Sequence, residues 1–94
     1  MSTTGPNNIV GGDIQDVGAA AQPLASVPTI ASVEITVASG NSADVTIEAP
    51  GLQAGGVALP AGISFGLLKV DLSQVLVSSA SEGQRITYMG DTYP

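Results

Sequence analysis

Eight carboxylates, one lysine and one arginine supply nearly all the ionisable chemistry of this 94-residue chain, which has no histidine and no cysteine. Three of the acids fall in "SVEITVASGNSADVTIEAPG", Ser32 to Gly51, as Glu34, Asp44 and Glu48. Two carboxylates about 5–9 Å apart can hydrolyse a glycosidic bond. That reaction also needs a deep, aromatic-lined cleft. A chain with one Phe, two Tyr and no Trp is poorly equipped to build one. Calcium asks for six to eight oxygens, several from one tight loop. "GDIQD", Gly12 to Asp16, offers only two acids three positions apart.

Other chemistries fare no better. A nucleophilic Ser or Thr needs an activating base, and no serine stands in a recognisable frame with Lys69. Zinc sites need Cys or His ligands. "GLQAGG" and "GVALPAG" are glycine-rich, but neither matches a phosphate-cradling loop. Their glycines read as turns. No catalytic, cofactor-binding or metal site is expected, and the chain is not expected to be an enzyme. Lys69 is expected on the solvent side of a strand. Glu34, Asp44 and Glu48 are expected to keep one sheet face soluble and to discourage edge-to-edge pairing.

These acids sit on elements with a clear period. Val33, Ile35 and Val37 alternate with Ser32, Glu34 and Thr36, and Val45 and Ile47 alternate with Asp44, Thr46 and Glu48. Period-2 patterning with β-branched residues predicts strands. A turn at Ser39-Gly40-Asn41 would make them a hairpin, with Val37 opposite Ala43, Ile35 opposite Val45 and Val33 opposite Ile47. Every apolar residue then meets another, and a slip by one residue destroys the match. Gly40 and Asn41 tolerate the left-handed conformation such turns use. Further strands are expected at Val57 to Leu59, from about Ile63 to Leu72, and from Gln84 to Gly90. In the second of these, Leu68, Val70 and Leu72 share the apolar face. Ser73 and Gln74 break the alternation, through a bulge that flips Val75 and Val77 or through one helical turn starting at Asp71. Ser78 to Gly83 is a turn.

Residues 1–26 carry Gly5, Gly11, Gly12, Gly18, Pro6 and Pro23 among scattered aliphatics. That mixture predicts an extended arm lying on its own domain or on a neighbour, with a short helix from Asp13 to Gln22 as the competing reading. The organisation is an arm at 1–26, a β domain at 27–90 and a tail at 91–94. The fold class is all-β, a small antiparallel sandwich or barrel with an extended N-terminal arm.

Composition points toward assembly. A chain this short has a narrow stability margin. Its apolar residues are Ala, Val, Leu and Ile, and it has no disulfide to staple it. Small folds in that position usually gain stability by associating. The formal net charge is −6. Phosphate binding needs clustered Lys and Arg, so direct nucleic-acid binding is not expected, nor is attraction to an anionic membrane. "MSTTGPNNIVGG" lacks the features of a secretion signal, and no run approaches the roughly 18 apolar residues of a membrane span. Synthesis in a cytoplasm without export is the simplest expectation. Both tyrosines and one methionine concentrate in "ITYMGDTYP", and Tyr and Met favour interface cores. The candidate partner interface is Ile9, Val10, Ile14 and Val17 from the arm, with Tyr88, Met89 and Tyr93 from the C-terminal end.

The "LPAGISFGLL" segment, Leu59 to Leu68, reads as an aliphatic-Pro-Ala-Gly turn into a strand. In this segment, and in its short, Cys-free, Ala/Gly/Val/Thr-rich composition, the chain resembles the small head decoration, or cement, proteins of tailed bacteriophages. The resemblance implies a virion structural subunit on the capsid surface, made in the host cytoplasm. It also implies homotrimers whose arms bridge neighbouring major capsid proteins and resist internal DNA pressure. A tail, neck or fibre component is the alternative within that class. A small ligand- or carbohydrate-binding β module is the alternative outside it.

Overall fold

The computed structural model describes residues 9–93. Eight strands follow in order: β1 (Ile9–Val17), β2 (Gln22–Pro23), β3 (Ile30–Val37), β4 (Val45–Glu48), β5 (Val57–Leu59), β6 (Ser64–Asp71), β7 (Leu76–Ser79) and β8 (Gln84–Thr92). A single 3-10 turn, Leu72–Gln74, separates β6 from β7. The strands form two four-stranded sheets, β1-β8-β3-β6 and β2-β7-β4-β5, antiparallel throughout. Strand lengths suggest the names long sheet and short sheet.

The pairing has a simple logic. The first strand pairs with the last, β2 with β7, β3 with β6 and β4 with β5. That is the ladder of one long hairpin closed by the loop at 49–56. The hairpin is wrapped so that successive rungs fall in opposite sheets, and β3–β8 and β4–β7 pairing then completes each sheet. Eight strands connected this way make a jelly roll, the double Greek key that leaves each sheet one apolar face to bury. The all-β sandwich expected from the sequence is the observed architecture.

The core lies between the sheets and is entirely aliphatic. Ala31, Val33, Ile35, Val37, Leu67 and Ile86 come from the long sheet, and Val45, Ile47, Leu59 and Val77 from the short one. Leu24, Leu72 and Val75 fill the ends from connections. Phe65 and Tyr88 pack against this cluster only in part. No buried side-chain polar atom among the described residues lacks a hydrogen-bond partner.

β3 and β4 are both present and both turn their aliphatic residues inward, yet they are not a hairpin. They belong to different sheets, and Val33, Ile35 and Val37 meet Val45 and Ile47 in the interior between them. Neither Gly40 nor Asn41 takes a positive φ. The connection is held by side chains instead. The Asn41 amide donates to the Arg85 carbonyl at 2.9 Å and accepts from the Arg85 N–H at 2.8 Å, as a neighbouring strand would. Gln84 is buried, and its Oε1 accepts from the N–H groups of Ser42 and Ala43 at 2.8 and 3.2 Å. These bonds satisfy backbone groups that a crossover would otherwise leave unpaired.

The short helix considered at Asp13 to Gln22 does not form. From Ile9 to Ile14 and again at Val17 the chain is laddered to β8. Of the segment expected as an arm, residues 1–8 lie outside the described residues, Ile9 to Val17 pair along β8, and Gln22 and Pro23 pair with β7 in the other sheet. The single turn at Asp71 does form. Asp71 caps it, its Oδ1 accepting from the Ser73 N–H and hydroxyl and from the Thr29 N–H at 3.0, 2.8 and 3.1 Å.

Candidate functional site

The outer face of the long sheet is where exposed apolar groups and charges meet. Register defines its rows. Met89 of β8 stands between Gly11 of β1 and Glu34 of β3, with Gly66 of β6 beyond. The next row runs Ile9, Asp91 and Ser32, and the one on the other side Asp13, Thr87, Thr36 and Ser64. Gly11 puts no side chain beside Met89 on the β1 side, and Met89 is 69% exposed.

β6 contributes a bulge. The register against β3 shifts between Ala31 and Val33, which sets Leu68 and Lys69 opposite Ser32. Lys69 takes a left-handed conformation, φ 50°, rare for a residue with a long side chain. The extra residue puts Leu68 and Val70 on opposite faces: Leu68 is 82% exposed beside the buried Leu67, and Val70 is half-buried opposite Ala31. The expected facing of Leu68 is therefore reversed. An alternation count cannot anticipate a bulge, because one added residue swaps the faces.

The C-terminal end folds back over this bulge. The Tyr93 N–H donates to the Ile30 carbonyl at 2.9 Å, and its hydroxyl lies 2.9 Å from Ser32 Oγ. Ser32 Oγ also accepts from the Lys69 N–H at 3.0 Å. The Lys69 ammonium lies 5.2 Å from the centre of the Tyr93 ring, a cation–π contact. Lys69 is on the solvent side, as expected. The result is a cluster of Leu68, Met89, Ile9, Ile30 and Tyr93 at one end of one face, all of them exposed.

The residues expected at a partner interface separate into two sets. Ile9, Met89 and Tyr93 belong to this exposed cluster. Val10, Ile14 and Tyr88 face inward and pack against the core, and Val17 is fully buried in it. The Tyr88 ring covers Gly12, where a Cβ would strike it, and its hydroxyl donates to the Leu24 carbonyl at 2.9 Å. Leu68 and Ile30 complete the cluster without having been picked out in the sequence. Leu68 needed the bulge, and Ile30 sits one residue ahead of the inward-facing run that starts at Ala31.

The carboxylates do not form a site. Glu34 lies on the outer face of the long sheet, Glu48 on that of the short sheet, and Asp44 in the connection before β4. A reactive carboxylate pair needs both acids around one substrate, and the sandwich core separates Glu34 from Glu48. Among the described residues no three His, Cys, Asp or Glu side chains are grouped to hold a metal ion. Asp13 pairs with Arg85 at 3.1 Å on the surface. Asp71 has its carboxyl held below the ordinary carboxylate value by the Ser73 hydroxyl first, then by the N–H groups of Ser73 and Thr29. A shallow depression of about 350 Å³ opens under the 49–56 loop, lined among others by Glu48, Leu52, Gln53 and Gln74. It contains no nucleophile and no base beyond the Glu48 carboxylate.

Compared with known proteins, the chain matches no family model, no curated protein and no solved structure. Among the described residues no helix is long and apolar enough to cross a membrane.

Proposed function

We propose that this chain is a structural subunit of a virion that decorates and stabilises a capsid surface, docking through the outer face of the long sheet. The observation that carries the reading is the exposed cluster of Leu68, Met89, Ile9, Ile30 and Tyr93 on one sheet face. Clustered exposed apolar groups on a small domain mark interaction surfaces. The charges around the cluster suggest its partner. Arg85 is engaged by Asp13 and Lys69 lies over Tyr93, whereas Glu34 and Asp91 beside Met89 form no ion pair among the described residues. Such a face suits a protein surface with an apolar centre and Lys or Arg at its rim, here assigned to the major capsid protein. The jelly roll adds an analogy at the level of fold alone, since viral capsid domains and lectins both use it. Homo-oligomers and an arm reaching neighbouring capsid proteins complete the proposal.

The test is co-sedimentation with shells of the major capsid protein encoded in the same genome. Saturable binding that weakens with salt, and is lost in Leu68→Ser/Met89→Ser, is the expected result. A chain that stays in the supernatant at every salt concentration, and is retained instead by an immobilised glycan, overturns the reading in favour of a carbohydrate-binding module.

A further inference from the structure

Two open sheets have four edge strands, and an edge strand's outward N–H and C=O groups are a template for another chain unless something blunts them. Three of the four edges are blunted. β5 has three residues. β2 has two, and one is Pro23, which has no N–H to offer. β6 is long but carries the Lys69 bulge. β1 is different. It is nine residues long, with no proline and no lysine. Its register with β8 is unbroken from Ile9 to Ile14 and shifts only beyond that point.

We propose that β1 pairs with β1 of a second copy, antiparallel across a twofold axis at Gly12, joining two long sheets into one of eight strands. The occupant follows from the strand's own pattern. With Gly12 opposite Gly12, Val10 lies opposite Ile14 on the inner face, and symmetry makes this contact twice. On the outer face Asp13 lies opposite Gly11, so no carboxylate faces a carboxylate. Moving the axis to Asp13 sets that acid against itself, which destabilises a strand pair. Moving it to Gly11 sets Val10 against Gly12 and loses the aliphatic contact. Moving it by half a step pairs inner residues with outer ones. Val10 and Ile14 are half-buried in the single chain, at the open side of the sandwich. A second copy would close that side.

This pairing is independent of what the outer face binds, and salt separates the two. Two chains of formal charge −6 repel, so screening by salt tightens this dimer, whereas it weakens contact with a basic capsid. The experiment is light scattering on the eluting full-length chain across a salt series, with two variants. The expected mass is twice the 9.3 kDa of one chain, with dissociation shifting to lower concentration as salt rises. Ile14→Lys places an inward lysine on the edge, a natural guard against pairing. It is expected to halve the mass while leaving the circular dichroism unchanged. Val10→Cys/Ile14→Cys is expected to form an oxidised dimer. Four residues along one strand span about 13 Å, too far for a disulfide within a chain. Ile9→Cys/Ile14→Cys, with its thiols on opposite faces, is expected not to cross-link. A monomeric wild type overturns the proposal. So does a dimer that persists in Ile14→Lys, or one that the Val10/Ile14 cysteines fail to lock.

Discussion

The strands of the long sheet run eight or nine residues each, and no strand of the short sheet exceeds four. Both sheets supply the same kind of side chain to the interior. Val33, Ile35 and Val37 on one side and Val45, Ile47 and Val77 on the other are all buried. They differ in what remains outside. The long sheet presents Met89, Leu68 and Ile9 to solvent, together with the one long edge that is unguarded among the described residues. The outward residues of β4 and β7, Thr46, Glu48, Leu76 and Ser78, are all half-buried. Stability is thus shared between the sheets, while the proposed docking face belongs to one of them.

Truncation in the core tests the shared half of that statement and has the largest expected effect. Ile35→Ala in the long sheet and Ile47→Ala in the short one are each expected to cost about 2–5 kcal/mol in chemical denaturation. Near-equal costs support a single core. An Ile47 variant far milder than its counterpart would make the short sheet a mere cover. Gln84→Ala comes next, because it strips partners from the N–H groups of Ser42 and Ala43 where the chain passes from one sheet to the other. Its expected cost is about 1–3 kcal/mol. Leu68→Ser and Met89→Ser should change stability by less than about 0.5 kcal/mol while weakening the proposed capsid binding. A larger loss of stability would place these side chains in the fold's own support and break the division between the sheets.

The last and smallest effect concerns Asp71, where the chain leaves β6 for β7. Its hydrogen bonds favour the carboxylate, so its folded pKa lies below the unfolded one. Its contribution to stability is then complete above the ordinary Asp value near 3.9 and is lost as pH falls through the lower folded value. An acid titration followed by fluorescence of an added dye should show a steeper decline for the wild type than for Asp71→Asn. Superimposable curves would remove Asp71 as a link between the sheets.

Most strands were legible because burial imposes period 2 on the chain. β5 was expected and found at Val57–Leu59, and β3, β4, β6 and β8 are close to their expected ranges. Partnership was not legible. The apolar match that suggested a hairpin from β3 to β4 is satisfied equally well when the two strands face each other across a core. Asn41 and Gln84 distinguish the cases, and they do so by joining the 38–44 connection to the start of β8, more than forty residues away in the chain. β1 was obscured by Gly11 and Gly12. Gly12 makes room for the Tyr88 ring, a long-range requirement that reads locally as a break. Three members of the exposed cluster stood out as apolar residues near the chain's ends. Leu68 was hidden by the bulge that exposes it.

The position of β8 has a consequence for how the molecule comes into being. Of the eight described strands it is the last made, yet it lies inside the long sheet, between β1 and β3. On a ribosome, every earlier strand emerges before the one that joins β1 to β3. During that interval β3 has one side unpaired and β1 has no partner in the sheet at all. A nascent chain halted before Gln84 would therefore be a sticky intermediate rather than a smaller version of the fold. Gly90 is the narrowest point of the closing step, since any Cβ there would overlap the Ser32 carbonyl of the strand it must slide beside.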